Sequence, residues 1–291
     1  MDFVGNLNFV NPETQSHGSA RQQKSFYKTR FNKPTLIRDA RLTQGVMPEP
    51  RDATDLLTSG SGFLLVNSPS KVQDWTDIKQ VAEIYYSETR DLLQRLLPNA
   101  VVPPTSSHTY RNEQFNEHFW ENGVQYGPCA TGVHNDYADF IDEDTGEVIE
   151  KFSQVQGMPQ DKHYLGINIW RSVSPKPLER FPLAVCDRTS IEPSDLEYNL
   201  NPNAMPRPFN AHYCKPNDDQ RWNYYSAMTK DEALVFTTYD SHPPRNEIFC
   251  PTLHTAVPIP DSDGLQERKS VEVRFFVQLE TPAFKQRYKV R

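Results

Sequence analysis

Apolar residues in this chain follow a helical period once and otherwise fall in short alternating runs. Between Asp74 and Leu97 the positions Trp75, Ile78, Val81, Tyr85, Leu92, Leu93 and Leu96 recur at three- to four-residue spacing, and Pro98 marks the stop. This predicts one long amphipathic helix, N-capped by Asp74 and packed on the core. After Pro104 the pattern changes to eight strand-like runs rich in β-branched and aromatic residues. They are SSHTYR (106–111), TGVHND (131–136), YLGINIWRSV (164–173), PLAVCDR (182–188), WNYYSAM (222–228), EALVFTTYD (232–240), LHTAVPI (253–259) and SVEVRFFVQL (270–279). Turn clusters at 142–147, 202–208, 216–219, 241–246 and 260–264 separate them. Upstream, GFLLVNSP (62–69) reads as a buried strand and PTLIRDAR (34–41) as a short one in an otherwise polar, irregular first 60 residues. Many short strands with such spacers indicate a β-sandwich or barrel. The expectation is a mainly β chain with one domain over 1–291: an N-terminal extension and helix (1–104), then a jelly-roll core (105–291).

Composition narrows the chemistry. The chain has 24 Pro against 12 Gly, and carries no G-x-G-x-x-G, G-x-x-x-x-G-K-[ST] or G-x-S-x-G. Nucleotide cofactors and α/β-hydrolase chemistry therefore drop out, and a methyl donor finds no glycine-rich loop. Only 36% of residues are hydrophobic, but 16 Phe, 13 Tyr and 4 Trp are more than a disordered chain carries. A net charge of −7 argues against a nucleic-acid partner. Cys129, Cys186, Cys214 and Cys250 form no C-x-x-C, so they read as small buried apolar residues rather than a zinc site or disulfide framework. No run approaches the length of a membrane-spanning helix, and MDFVGNLNFVNPETQ lacks the marks of a secretory signal. The expectation is a cytoplasmic protein, without membrane or nucleic-acid partners, acting on something small.

His134 and Asp136 form an H-x-D on a short strand, which places imidazole and carboxylate on one face. Two histidines and a carboxylate make the facial triad of non-haem Fe(II) sites. Chance alone gives about one H-x-[DE] in a chain with 8 His and 38 acidic residues, so the motif needs support. Downstream, His254 opens a strand, and Arg268, Ser270, Glu272 and Arg274 share one face of another. A guanidinium and a hydroxyl suit a carboxylate ligand. Spacing favours Arg268 over Arg274 for that role, with Glu272 pairing the other arginine. Asn168 and Trp170 share a strand face near this group or pack in the core. His108, His118, His163, His212 and His242 read as surface or hydrogen-bonded histidines. The run 141–150 reads as a solvated hairpin, and 191–220 as a lid or a plain surface insertion.

The strings NIWRSV (168–173), PLAVCD (182–187), WNYYSAM (222–228), DEALVFTTYDS (231–241), LHTA (253–256) and RKSVEVR (268–274), with DAR (39–41) and HNDY (134–137), resemble a fungal and bacterial oxygenase family. It includes gibberellin-desaturase-like proteins and the hydroxylase/desaturases of asperfuran-type clusters, and the resemblance spans about residues 35 to 280. RSV and RKS stand where many members have Arg-Pro and Arg-Glu-Ser. The resemblance implies a double-stranded β-helix, with Fe(II) on His134, Asp136 and His254. It also implies 2-oxoglutarate as cosubstrate, near Arg268, Ser270, Arg274 and Asn168, and O2 as oxidant. The implied substrate is a small apolar fungal natural product, meroterpenoids among them. The resemblance leaves three outcomes open: endoperoxide formation, hydroxylation or desaturation. Family habit adds a homodimer. The competing expectations are a jelly-roll binding protein without chemistry and a cupin-type metalloenzyme that needs no cosubstrate.

Overall fold

The computed structural model describes residues 1–11, 30–141, 147–201, 209–243 and 249–280. In chain order the first strands are β1 (Phe3–Val10), β2 (Arg30–Asp39), β3 (Phe63–Asn67), β4 (Ala100–Val101), β5 (Thr109–Asn112) and β6 (Phe119–Glu121). Next come β7 (Val124–Gly127), β8 (His134–Ala138), β9 (Phe140–Ile141), β10 (Val148–Glu150), β11 (His163–Ser172) and β12 (Leu183–Cys186). The last are β13 (Leu196–Asn201), β14 (Phe209–Cys214), β15 (Trp222–Tyr224), β16 (Glu232–Asp240), β17 (His254–Ala256) and β18 (Lys269–Leu279). All eight runs read as strands after Pro104 contain one.

Two large sheets form. The first has the order β1-β2-β15-β12-β17-β8-β14-β13, the second β3-β16-β11-β18-β5-β7-β6 with β4 added on β18. Phe63, Leu65, Trp170, Leu234 and Phe236 of the second sheet pack with Leu183 and Val185 of the first, so the sheets face each other around an interior. The other side of the second sheet is covered by the helix. Leu92, Leu93 and Leu96 bury against Ile167, Ile169, Val271, Val273 and Phe275. Strand alternation thus sends odd positions of β11 and β18 to the helix and even ones to the interior.

The helix begins later than the spacing predicts. Asp77, not Asp74, caps it, accepting from the backbone N–H of Lys79 and Gln80 at 3.0 and 3.1 Å. Asp74 instead closes the preceding turn through Thr76. The helix runs from Ile78 through a wide turn at Val81–Tyr85 to Leu96.

Two further expectations change. The first 60 residues are less irregular than they read: β1 pairs along its whole length with β2, and β2 runs parallel to β15. Residues 1–104 therefore supply strands to both sheets. The stretch 191–220 holds β13 and β14, and β14 pairs directly with β8. The turn cluster 202–208 lies outside the described residues. In 141–150 the hairpin forms, β10 pairing with β9, and 142–146 lie outside the described residues. No helix among the described residues is long and apolar enough to cross a membrane.

Candidate metal centre

β8 and β17 lie side by side in the first sheet, and their register sets His134 directly opposite His254. The two rings are 4.4 Å apart between centroids. Asp136 stands two residues along β8 on the same face, and one ligand atom from each of the three residues lies within 4.8 Å of the other two. The H-x-D and the distant histidine, separated by more than a hundred residues in sequence, converge on one point.

What surrounds each group decides where its lone pairs point. His134 Nδ1 lies 2.7 Å from the Gly132 carbonyl, and His254 Nδ1 lies 3.2 Å from the Thr252 carbonyl. A carbonyl only accepts, so both Nδ1 atoms carry the proton and both Nε2 lone pairs are left for the centre. Burial, joined by the neighbouring His254, pushes the His134 imidazole down to about 4. Burial lowers His254 as well. Both rings are neutral, as metal binding requires.

Asp136 is held from the facing sheet. Its Oδ2 accepts from Asn168 Nδ2 and from Arg274 Nε, each at 2.8 Å. Its Oδ1 lies 3.9 Å from His134 Nε2. Burial alone would raise this carboxyl, but Arg274 and the two histidines hold it well below the usual carboxylate range. Asn168 is fixed in turn, its Oδ1 accepting from Thr238 Oγ1 at 3.1 Å. Thr238 is the unpaired residue of a bulge between β11 and β16, which turns an extra hydroxyl inward. Two imidazole nitrogens and one carboxylate oxygen, all deprotonated and backed by fixed partners, are a donor set that fits non-haem iron.

The two arginines have different surroundings. Arg274 is committed to Asp136, to Glu272 Oε1 at 2.5 Å and to Thr109 Oγ1 at 2.9 Å. Arg268, 2% exposed, donates to Ser270 Oγ at 3.2 Å and to the Phe181 carbonyl at 3.0 Å. Its guanidinium forms no ion pair with an acidic residue among the described residues. Glu272 pairs Arg274, as the spacing argument has it, and Asn168 spends its amide on Asp136 and Thr238. Burial raises the Glu272 carboxyl, against the pull of Arg274.

A cleft opens on this group, lined by His134, His254, Trp170, Arg268, Leu183 and Arg111. Thr109 and Arg111 escaped the sequence reading. Their signal lay in the alternation of SSHTYR, where Tyr110 belongs to the core and its neighbours face the other way. The remaining histidines among the described residues are engaged elsewhere: His108 with Tyr86, His118 with Arg111, His163 with Asp240, His212 with Asn135 and His242 with Ser241.

Known proteins share this framework. The model of the family described as the oxidoreductase/YMDC permease-like domain matches residues 7–278. Hydroxylase/desaturase efuI of Hormonema carpetanum is 26% identical, across 90% of this chain and 88% of its own length. Alpha-ketoglutarate-dependent dioxygenase phiK of Fungal sp. is 25% identical, across 77% and 79%. The solved structure of iron and alpha-ketoglutarate-dependent endoperoxidase NvfI superposes with a TM-score of 0.68 at 21% identity, covering 96% of this chain and 99% of that one. That likeness establishes the fold, a jelly roll as the strand pattern predicts.

Proposed function

The chain belongs to the oxidoreductase/YMDC permease-like domain family, and from that premise we propose that it is an Fe(II)- and 2-oxoglutarate-dependent oxygenase of small organic molecules. One observation carries the reading: His134, Asp136 and His254 aim three deprotonated ligand atoms at one point, while their other polar atoms are tied to the protein. These three residues hold the iron. Arg268 and Ser270 take the distal carboxylate of 2-oxoglutarate, because of Arg268 and Arg274 it is Arg268 that has no acidic partner among the described residues. Fe(II) with 2-oxoglutarate and O2 supplies an oxidant able to remove hydrogen from a C–H bond, leaving succinate and CO2.

The chain's own part is positioning and exclusion. Asn168 and Arg274 pull on Asp136 Oδ2 and leave Oδ1 for the centre. Arg274 keeps Asp136 ionised, and Glu272 and Thr109 keep Arg274 in place. Leu183 and Trp170 line the cleft with apolar surface beside the reacting centre. The named relatives include a hydroxylase/desaturase and an endoperoxidase, so this reading takes C–H abstraction as the shared step and leaves the outcome to the bound substrate. An apolar natural product of the meroterpenoid kind is the substrate class that the motif resemblance supports. The proposal takes the chain as one domain, a reading supported by β1 and β2 in the first sheet and β3 and β4 in the second. A homodimer, which rests on the resemblance, and a cytoplasmic location, which rests on the sequence reading, complete the proposal; sedimentation equilibrium tests the dimer.

The test is anaerobic Fe(II) titration followed by oxygen-dependent release of CO2 from 2-oxoglutarate. One equivalent of iron and cosubstrate turnover are expected, both abolished in His134→Ala. Turnover indifferent to 2-oxoglutarate would favour a cupin-type enzyme, and absence of stoichiometric binding a protein without the chemistry.

A further inference from the structure

Two buried donors beside the centre have no work in the account so far. The indole Nε1 of Trp170 and the hydroxyl of Ser172 are sealed from solvent and lack any hydrogen-bond partner. An unpaired interior N–H is costly, so one at the wall of a cleft calls for an acceptor, either a water molecule or a ligand. Both residues lie on the interior face of β11, two positions apart. Ser172 sits opposite Ser270 across the β11–β18 ladder, and Ser270 Oγ receives Arg268 Nε. The Arg268 guanidinium lies over the Trp170 ring, 4.9 Å from its centroid, and both side chains line the cleft that contains His134 and His254.

An indole N–H and a guanidinium only donate, so the missing partner is an acceptor. A water molecule satisfies an N–H but leaves a buried guanidinium without its counter-charge. A carboxylate satisfies both. We infer that Trp170 is a binding residue for the distal carboxylate of the cosubstrate: its indole N–H bonds one carboxylate oxygen and Arg268 neutralises the charge. This rests on the Fe(II)/2-oxoglutarate reading above. It makes Trp170 a selector as well, since a 2-oxo acid lacking the second carboxylate leaves these donors unpaired.

Trp170→Phe keeps an aromatic ring beside Arg268 but deletes the N–H together with part of the indole's volume, and the comparison of two acids separates the two losses. With Zn(II) standing in for Fe(II), binding of 2-oxoglutarate and of 2-oxobutyrate, which has no distal carboxylate, is measured by calorimetry. The variant is expected to bind 2-oxoglutarate roughly 10- to 100-fold more weakly, with 2-oxobutyrate and Zn(II) affinity unchanged. In the wild-type protein the Trp170 indole resonance, assigned from the β11 backbone, is expected to move downfield with 2-oxoglutarate and stay put with 2-oxobutyrate. That measurement needs no variant to fold. An unmoved resonance, or equal weakening toward both acids, overturns the assignment of Trp170 alone. A wild-type protein that takes up metal but no 2-oxoglutarate overturns the assignment together with the functional reading beneath it.

Discussion

The two faces of β11 and β18 both hold buried residues and differ in almost everything else. On the helix side stand Ile167, Ile169, Val271, Val273 and Val277, all 0% exposed. On the interior side, one residue over, stand Asn168, Ser172, Ser270, Trp170 and Glu272, none above 8%. Apart from Lys269 at the strand end and Arg171, whose guanidinium donates to the Tyr85 hydroxyl and to the Ser68 and Lys230 carbonyls, the first face is apolar and closed against Leu92, Leu93 and Leu96. The second carries an ion pair to Asp136, a guanidinium without an acidic partner among the described residues and two donors without a protein partner. Burial stabilises in the first case, whereas in the second it strips charges and hydrogen-bonding groups of water. The contrast assigns stability to one side of the same strands and chemistry to the other.

The sharpest way to test this division is to damage each side separately. Leu93→Ala opens a cavity under the helix face and should cost about 2–5 kcal/mol, read as a lower denaturation midpoint. The folded variant should keep its metal and 2-oxoglutarate affinities. Acid comes next and strikes both sides. Burial pushes His108, on the helix side, down to about 4, and His212, beside Asn135, down to about 3. Both are neutral in the folded protein at a pH where the unfolded chain already binds protons below its ordinary value near 6.5. Stability should therefore be full above about pH 6.5 and fall as pH drops toward 4, each histidine contributing on the order of 3 kcal/mol. His108→Gln should flatten part of that slope in pH-dependent denaturant titrations.

Asn168→Ala removes one of the two donors on Asp136 Oδ2 and should weaken metal binding about 10- to 100-fold with a smaller change in stability. Arg268→Met should move the denaturation midpoint least, or raise it, because it deletes a buried charge without an acidic partner. Its 2-oxoglutarate affinity should nonetheless fall at least roughly tenfold. A large stability loss in Arg268→Met, or a large affinity loss in Leu93→Ala, would break the division of labour.

Much of this layout is legible in the sequence where a short-range pattern encodes it. Period-two alternation marks the strands after Pro104, and H-x-D puts two ligands on one face. The register that brings His254 opposite His134 is long-range, and only the order of the motifs hints at it. The choice between Arg268 and Arg274 is harder still. It turns on Asp136, which reaches across from the other sheet to occupy Arg274, and no spacing within β18 records that. β13 and β14 hide because a Pro- and Asn-rich stretch reads as loop, while their pairing is imposed by β8. β1 carries an alternation, Phe3, Gly5, Leu7, Phe9, diluted by glycine and asparagine. Asp74 and Asp77 are both good caps, and local turn geometry decides between them.

One rung joins β17 to β8, the pair His254 and His134. Beyond it lie β8, β14 and β13, whose ladder meets β17 at the two residues assigned to the metal, with further backbone links from Val133 to the Asn8 carbonyl and from Ala256 to the Ala130 carbonyl. The ion would then be a rivet as well as a reagent, fastening the panel that closes the vessel around the substrate. Loading it becomes a step of assembly, and losing it loosens the container at the place where the reaction occurs.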